Sequence, residues 1–449
     1  MTTEHKQDQS SFQQERILAS CRKHNFWTWS AQGSVNPLPV ARAEGVYFWD
    51  FEGKRYLDFN SGVMCVNIGY GDQRVIDAVA DQARELIFAG PHTATKARAD
   101  AGEILASVTP PGLDTFLYTL GGSEANENAL KLARAFTGRH KVLSQYRSYH
   151  GATHGSAAVT GDPRRWAWEP TLMPGVVHFH GPLGDPWSRE NRSLDTASAI
   201  DQLESVIRFE GPDTIAAVLL ETIPGTNGVL IPPEGYLDGV RRLCSHYGIQ
   251  LICDEVMTGF GRTGAWFAVE HDGVLPDLMT MAKGLTSGYA PLGAVAIAEH
   301  IVEHFKERVF QGGLTYNGHP LGLAAAIANL NVLKSDHLIE RARQSGTVLA
   351  NELSDLGKKY SVIGQVRSIG LMAAIDLVQM EDPQIPLSAY AHHSTVIQRL
   401  KEDCLANGLY LRSHMNTLLI MPPLSIQKDD LLSGIEILGR CLARMEASL

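Results

Sequence analysis

Two short apolar runs in this chain end abruptly on charged residues. Leu251-Ile252-Cys253 runs into Asp254-Glu255-Val256, and Leu278-Met279-Thr280-Met281-Ala282 runs into Lys283-Gly284-Leu285. Runs of this kind are how strands buried on both faces read. In open α/β sheets ligands bind just outside the carboxyl ends of such strands, so an Asp and a Lys placed there face a crevice and not the core. The chemistry that needs this pair is that of pyridoxal phosphate: a lysine amine holds the aldehyde as a Schiff base, and a carboxylate keeps the pyridine nitrogen protonated so that the ring accepts electrons. A lone lysine is far more often a solvated surface charge. The strand-end position and the adjoining Gly284 set Lys283 apart.

Four further stretches each have a bland reading and a chemical one. Gly121-Gly122-Ser123-Glu124-Ala125-Asn126 follows a strand at Phe116–Thr119 and opens a helix through Leu130 and Ala133 that Gly138 stops. Free N–H groups at such a helix start bind phosphate, although a tight turn with a Ser cap reads the same way. Tyr149-His150-Gly151 follows a strand at Lys141–Leu143; Tyr149 is a stacking aromatic for a cofactor ring or an ordinary turn residue, and His150 a general base or packing. Glu221 ends the run Ala216–Leu220 and suits a structural ion pair or a substrate contact equally. Thr315 lies in the Gly-rich loop Gly312–Pro320, where it donates to a phosphate or simply belongs to a well-capped connection. Together these stretches supply a Schiff-base lysine, a ring-nitrogen carboxylate, a phosphate-binding helix start, a stacking aromatic and a hydroxyl loop, four of them at strand ends.

The elements that must position them follow from alternation. Between Phe116 and about Ala325 short apolar runs, including Ile249–Ile252 and Gly293–Ile297, alternate with helical segments, which argues for an α/β fold with a mostly parallel central sheet. Arg74–Phe88 and Arg98–Val108 carry helical spacing ahead of it. After a helix near Pro320–Lys334 the character changes to amphipathic helices at His337–Leu356 and Tyr390–Asn407, with strands at Ile369–Ile375 and Asn416–Met421. The expected division is an N-terminal segment 1–70 belonging to a smaller α+β domain, a large domain 71–330, and the rest of the small domain at 331–449. Residues 1 to about 14 read as a frayed polar tail. The Phe26–Trp29 aromatic cluster reads as core or subunit interface, or else as a pocket wall.

Composition narrows the class. With 449 residues, 44% hydrophobic content and a net charge of −10, the chain buries large cores and offers no electrostatic footprint for nucleic acid or anionic membrane. Six scattered cysteines without a C-x-x-C pair give neither a disulfide framework nor a zinc site, so no metal is expected and a reduced, cytoplasmic setting is. No apolar run is long enough to span a membrane, and the N-terminus has no signal-type apolar core.

At this point the chain resembles a known family over nearly its whole length: the class III (ω-) aminotransferases of the fold type I pyridoxal phosphate enzymes. The resemblance is carried by the Gly121–Asn126 and Tyr149–Gly151 motifs, Asp254-Glu255-Val256 with Gly259-Phe260-Gly261-Arg262-Thr263-Gly264, Ala282-Lys283-Gly284 with Pro291-Leu292-Gly293, and Thr315–Pro320. It implies that Lys283 binds the cofactor and then moves the proton, that Asp254 binds the pyridinium nitrogen, and that Tyr149 and Val256 cover the two ring faces. It implies that Gly122 and Ser123 hold the phosphate. Thr315 does so from a neighbouring subunit, making the active unit a homodimer or a tetramer built from it. Glu255 and Arg262 are family-typical with structural roles.

Substrate choice rests on departures from the family pattern. Members acting on α-amino acids or 2-oxoglutarate carry an arginine where this chain has Leu419, whereas Arg412, ten residues before Pro422, matches the mobile arginine of the ω-amino acid:pyruvate branch. A guanidinium clamps a carboxylate or sulfonate bidentately. Met64 stands where amine-accepting members carry an aromatic, and leaves a softer pocket. With Trp29 and Glu221 these complete the candidate substrate residues. The Phe26–Trp29 and Tyr56–Cys65 regions resemble taurine and β-alanine aminotransferases, and Thr222 replaces a usual proline. The expected activity is ping-pong transfer of an amino group from an ω-amino acid or amine to a keto acid, pyruvate before 2-oxoglutarate. The alternatives are an epimerase or aminomutase on the same scaffold, or a class III enzyme for diamines or amines.

Overall fold

The computed structural model describes residues 3–188 and 193–449. Its centre is a seven-stranded sheet: β1 (Thr115–Thr119), β2 (Lys141–Gln145), β3 (Val176–Phe179), β4 (Ile215–Glu221), β5 (Gln250–Asp254), β6 (Leu278–Met281) and β7 (Gly293–Ile297). The spatial order is β1-β7-β6-β5-β4-β2-β3. Only β7 runs antiparallel to its neighbours, so the other six strands point their carboxyl ends the same way. Every residue of β4, β5 and β6 is buried, which is why these strands read as continuous apolar runs and not as alternating ones. Each fully buried Leu, Val or Ile in them contributes roughly 1.5–3 kcal/mol relative to exposure.

Helix α1 (Gly122–Thr137) starts directly after β1 and ends on Gly138 in the left-handed region at φ +68. Helices α2 (Pro320–Ser335) and α3 (Leu338–Lys359) follow the sheet, α2 beginning with Pro at its first position, where a missing N–H costs nothing. Beyond them lies an antiparallel sheet of Ile363–Ile369, Met372–Leu377, Thr417–Ile420 and Arg412–His414. A third sheet joins both ends of the chain: Arg42–Glu44, Tyr47–Trp49 and Arg55–Asp58 pair in sequence, and Leu409–Tyr410 adds parallel to the last, Leu57 opposite Leu409. Among the described residues no helix is long and apolar enough to cross a membrane.

Three expectations need correcting, and one strand had no expectation to match it. The polar start is not a frayed tail but part of a helix, Thr3–His24; its Glu, Gln, Lys and Arg residues are good helix formers without an apolar stripe to reveal them. The single strand expected at Ile369–Ile375 is a hairpin, because Gly370 turns the chain at φ +55. A Cβ there would lie 2.4 Å from the Thr263 carbonyl carbon, so the turn accepts only glycine. The helix expected from Tyr390 begins only at Thr395, capped by the Ser394 hydroxyl accepting from the Ile397 N–H. Strand β3 escaped notice because it is half-buried and only four residues long.

Candidate active site

The parallel strands deliver the candidate residues to one edge. Asp254 is the last residue of β5 and Glu221 the last of β4, and the two are register partners. Lys283 follows β6 by two residues, Tyr149 follows β2 by four, and Gly122-Ser123 open α1 after β1. Lys283, Asp254, Glu221, Tyr149, Val256, Gly122 and Ser123 line one cavity of about 280 Å³. Its neighbour, about 510 Å³, shares Tyr149, Thr226 and Lys283 and adds Trp29, Met64, Arg412 and Leu419 to its wall.

Asp254 is 4% exposed and held on both oxygens. Its Oδ1 accepts the Val256 N–H at 3.0 Å, and its Oδ2 accepts Asn126 Nδ2 at 2.8 Å and lies 2.8 Å from His150 Nδ1. Asn126 is itself oriented by the Thr280 hydroxyl, which donates to its Oδ1 at 2.8 Å, and by donating to the His150 carbonyl. A buried carboxylate with this many partners keeps one orientation. Among the described residues, His150 Nε2 is buried without a partner. The site thus assigns His150 to orienting Asp254, and adds Asn126 and Thr280, which the sequence reading gave no role. The signal for Thr280 was a lone hydroxyl inside the apolar run Leu278–Met281.

Lys283 is a different case. It sits at φ +39, a strained left-handed conformation for a side-chain-bearing residue. Burial pushes its amine below the usual lysine range, against the opposing pull of Glu221 and Asp254. An amine so shifted spends more time neutral, the form that attacks a carbonyl. Glu221 is pushed up to about 7, first by burial and then by the Asp254 charge beside it. Its Oε1 accepts the Tyr149 N–H at 2.7 Å and its Oε2 the Gly225 N–H at 2.9 Å, so it fixes the two loops that frame the cavity.

Both cavity ends fit the expected cofactor. A Cβ at Gly122 would fall 2.8 Å from a Val256 methyl, and one at Gly151, which is at φ +138, would fall 2.3 Å from Ser123 Oγ. Glycine alone lets backbone N–H groups and a hydroxyl converge at the α1 start, where the helix dipole favours a phosphate. The buried amine, the strand-end carboxylate, Val256 and the Tyr149 ring line the same cavity, a set of groups that suits a phosphorylated pyridine aldehyde.

Three other candidate stretches have definite places in the fold. Thr315 is exposed and lines neither cavity of its own chain. The Phe26–Trp29 cluster is not core: Phe26 is 86% exposed, while Trp29 lines the larger cavity and meets Tyr149 edge-on at 6.5 Å. Arg412 faces that cavity from an edge strand, directly across from Leu419 in the register. Cross-strand partners share a face of the sheet, so an arginine at either position reaches the same space.

Glu255 and Arg262 are structural, as their burial demands. Glu255 Oε1 accepts from the Thr222 hydroxyl at 2.9 Å and the Val269 N–H at 2.8 Å, and its Oε2 accepts from the Ala268 N–H at 3.0 Å and from the Thr258 hydroxyl. Thr222, in the place of a usual proline, therefore has a use. Arg262 donates to the carbonyls of Leu371 and Pro422 and to Ser61 and Asn67, knitting distant segments together.

Residues 29–442 match the family model described as aminotransferase class III. A taurine–pyruvate aminotransferase of Rhodobacter capsulatus is 34% identical, over 96% of this chain and 97% of that protein. A putrescine–pyruvate aminotransferase of Pseudomonas aeruginosa is 33% identical, over 91% of each. Among solved structures, a taurine:2-oxoglutarate aminotransferase from Bifidobacterium kashiwanohense, in complex with PLP and glutamate, superposes with a TM-score of 0.93 at 37% identity, covering 97% of this chain and 99% of that one.

Proposed function

The chain belongs to the class III aminotransferases, a pyridoxal phosphate-dependent family, and on that premise we propose that it transfers the amino group of a short ω-amino acid, taurine or β-alanine, to pyruvate. The observation that carries the reading is the wall of the larger cavity: Arg412 and Arg164 line it, Leu419 takes the cross-strand place of a further arginine, and among the described residues no carboxylate lines it. A sulfonate or carboxylate gains a charge-assisted pair there. The distal ammonium of a diamine would meet two arginines and no carboxylate on that wall, which argues against putrescine as donor. Pyruvate precedes 2-oxoglutarate because Leu419 stands where members acting on 2-oxoglutarate carry an arginine.

When bound, pyridoxal phosphate supplies the carbonyl that takes up the amino group and the ring that accepts electrons as the substrate C–H bond breaks. The protein's residues do the rest. Gly122, Ser123 and the α1 start would hold the phosphate, and Asp254, fixed by Asn126 and His150, would pair with the ring nitrogen. Tyr149 and Val256 confine the ring. The Lys283 amine, lowered by burial, takes the proton from the substrate carbon and returns it to the neighbouring acceptor carbon. Arg412 holds the acid group, Met64 and Trp29 bound the donor chain, and Glu221 keeps the Tyr149 loop in place.

The same reading makes the active unit a homodimer, with Thr315 of each subunit serving its partner's phosphate, in keeping with its exposure away from its own site. It places the domain boundaries near 70 and 330, supported by the pairing of Leu57 with Leu409, and the enzyme in the cytoplasm. A panel of taurine, β-alanine, 4-aminobutyrate, putrescine and 1-phenylethylamine against pyruvate and 2-oxoglutarate tests it. Fastest turnover is expected with taurine or β-alanine and pyruvate; putrescine or 1-phenylethylamine as best donor would refute it.

A further inference from the structure

The carboxyl ends of the two outermost parallel strands frame a third cavity. Tyr146 and Arg147 follow β2 directly, and His180 and Asp185 follow its edge neighbour β3. With Trp166, Trp187 and Tyr390 they line a space of about 410 Å³, the size of a small-molecule site. It shares no lining residue with the two cavities described above. Two thin walls part it from the larger one. Arg164 lines that cavity while the next residue, Arg165, lines this one, and Ala391 and Tyr390 divide in the same way.

The wall is aromatic. The Tyr390 ring meets Trp187 at 4.9 Å and Trp166 at 5.9 Å, both edge-on. The Trp187 indole is fixed by donating from Nε1 to the Ser388 carbonyl at 2.8 Å, while Trp166 is 48% exposed. Edge-on packing leaves ring faces for a planar guest.

Arg147 supplies a charge within reach of those rings, its guanidinium 5.8 Å from the Trp187 centroid. It sits at φ +60, a strained conformation for a side-chain-bearing residue, and burial pushes its guanidinium down to about 10. Nη1 donates to the Gly184 carbonyl at 2.9 Å and Nη2, less closely, to the Asn227 carbonyl at 3.4 Å. Among the described residues its other N–H groups have no partner and it makes no salt bridge. The other charges on the wall are already engaged. Arg165 pairs with Glu169 at 2.8 Å, and Asp185 accepts the Trp187 N–H at 2.9 Å. A poorly solvated guanidinium without a carboxylate gains a charge-assisted pair from an entering anion, whereas a cation there would meet two arginines.

We propose that this cavity is a second binding site, separate from the transamination centre, for a planar aromatic carboxylate. The ring of such a ligand lies among Trp166, Trp187 and Tyr390, and its acid group meets Arg147. The inference does not rest on the amino donor assigned above.

Indole-3-acetate is the probe, titrated calorimetrically into the cofactor-loaded enzyme beside its neutral analogue indole-3-acetamide and the aliphatic acid hexanoate. Saturable binding of indole-3-acetate is expected, with a Kd below about 1 mM. Each comparison compound should bind about tenfold more weakly, the amide for want of the charge-assisted pair and hexanoate for want of the ring. Arg147→Gln should weaken indole-3-acetate about tenfold or more. Trp166→Ala, at a half-exposed position, should weaken it about fivefold or more, and decides alone if Arg147→Gln does not fold. Arg412→Leu, which alters only the larger cavity, should change the Kd by less than about twofold. Affinity lost in Arg412→Leu but kept in Trp166→Ala would place the probe in the substrate cavity and overturn the proposal. Equal binding of acid and amide, or no saturable binding, would overturn it as well.

Discussion

Replacing Glu221 by Gln tests the electrostatics of the strand-end edge more sharply than removing a catalytic group. Glu221 is buried beside Asp254, and its carboxyl is pushed from an ordinary value of 4.5 up to about 7. The native state therefore holds this proton more tightly than the unfolded chain does. Between those two values the unfolded state binds fewer protons, so this group's contribution to stability falls as pH rises. At about 1.4 kcal/mol per unit, the shift makes wild type lose roughly 2.5 kcal/mol from Glu221 between pH 5 and pH 8. Gln does not titrate. It also turns an amide toward one of the two backbone N–H groups, of Tyr149 and Gly225, that the carboxylate satisfies, at a cost of about 1–3 kcal/mol that is the same at every pH. Urea unfolding of the cofactor-free protein at pH 5, 6, 7 and 8 separates the two effects. Glu221→Gln should be the less stable protein at pH 5, and the gap should close by about 2.5 kcal/mol on going to pH 8. A gap that stays constant across the series would show that Glu221 is ionised in the native state throughout, and the reasoning would fail.

Other perturbations follow from the same geometry. Arg412→Leu should lower kcat/KM for taurine by about 1.5–3 kcal/mol in transition-state terms, roughly 10- to 150-fold, with a smaller effect on butylamine; equal losses on both donors would contradict its role. Asn126→Ala removes a hydrogen bond to Asp254 and leaves Thr280 without an acceptor, so pyridoxal phosphate should dissociate about tenfold more readily in a spectrophotometric titration, and unchanged affinity would deny Asn126 a positioning role. Gly370→Ala places a Cβ 2.4 Å from the Thr263 backbone at φ +55, so the melting temperature should fall by several degrees; an unchanged Tm would mean the hairpin relaxes without strain.

The parts of the site legible in the sequence are those where one residue type does something few others do. Lys283 and Asp254 interrupt fully apolar strands, and Gly122 and Gly151 occupy positions where a Cβ would collide with Val256 or Ser123. Such residues stand out from their neighbours without any knowledge of the fold. The central strands were legible for the same reason, since burial on both faces leaves an uninterrupted apolar run. What escaped was either local strain or long-range assembly. Gly370 splits an apolar run that looks continuous, because nothing in its composition announces a turn. The Asn126–Thr280 link to Asp254 spans residues 154 and 128 positions apart, and Arg164 reaches the cavity only because a turn after β2 folds back over Tyr149. The polar helix Thr3–His24 offered no apolar stripe. Contacts made by tertiary folding of ordinary polar residues leave no periodic signal.

One reaction underlies the proposed function: an amino group leaves an acid-bearing donor, stays with the enzyme, and departs only on a keto acid. The direct test is a single-turnover experiment with cofactor-loaded enzyme and taurine, without acceptor, following the visible absorbance of the bound cofactor and the aldehyde released. One equivalent of aldehyde per site with stable loss of the lysine-bound cofactor band, reversed on adding pyruvate with one equivalent of alanine, is the expected result. Lys283→Ala should show neither the band nor the turnover. Recovery of the band without a keto acid, or isomerised donor in place of aldehyde, would contradict the account and favour an epimerase or aminomutase on the same scaffold.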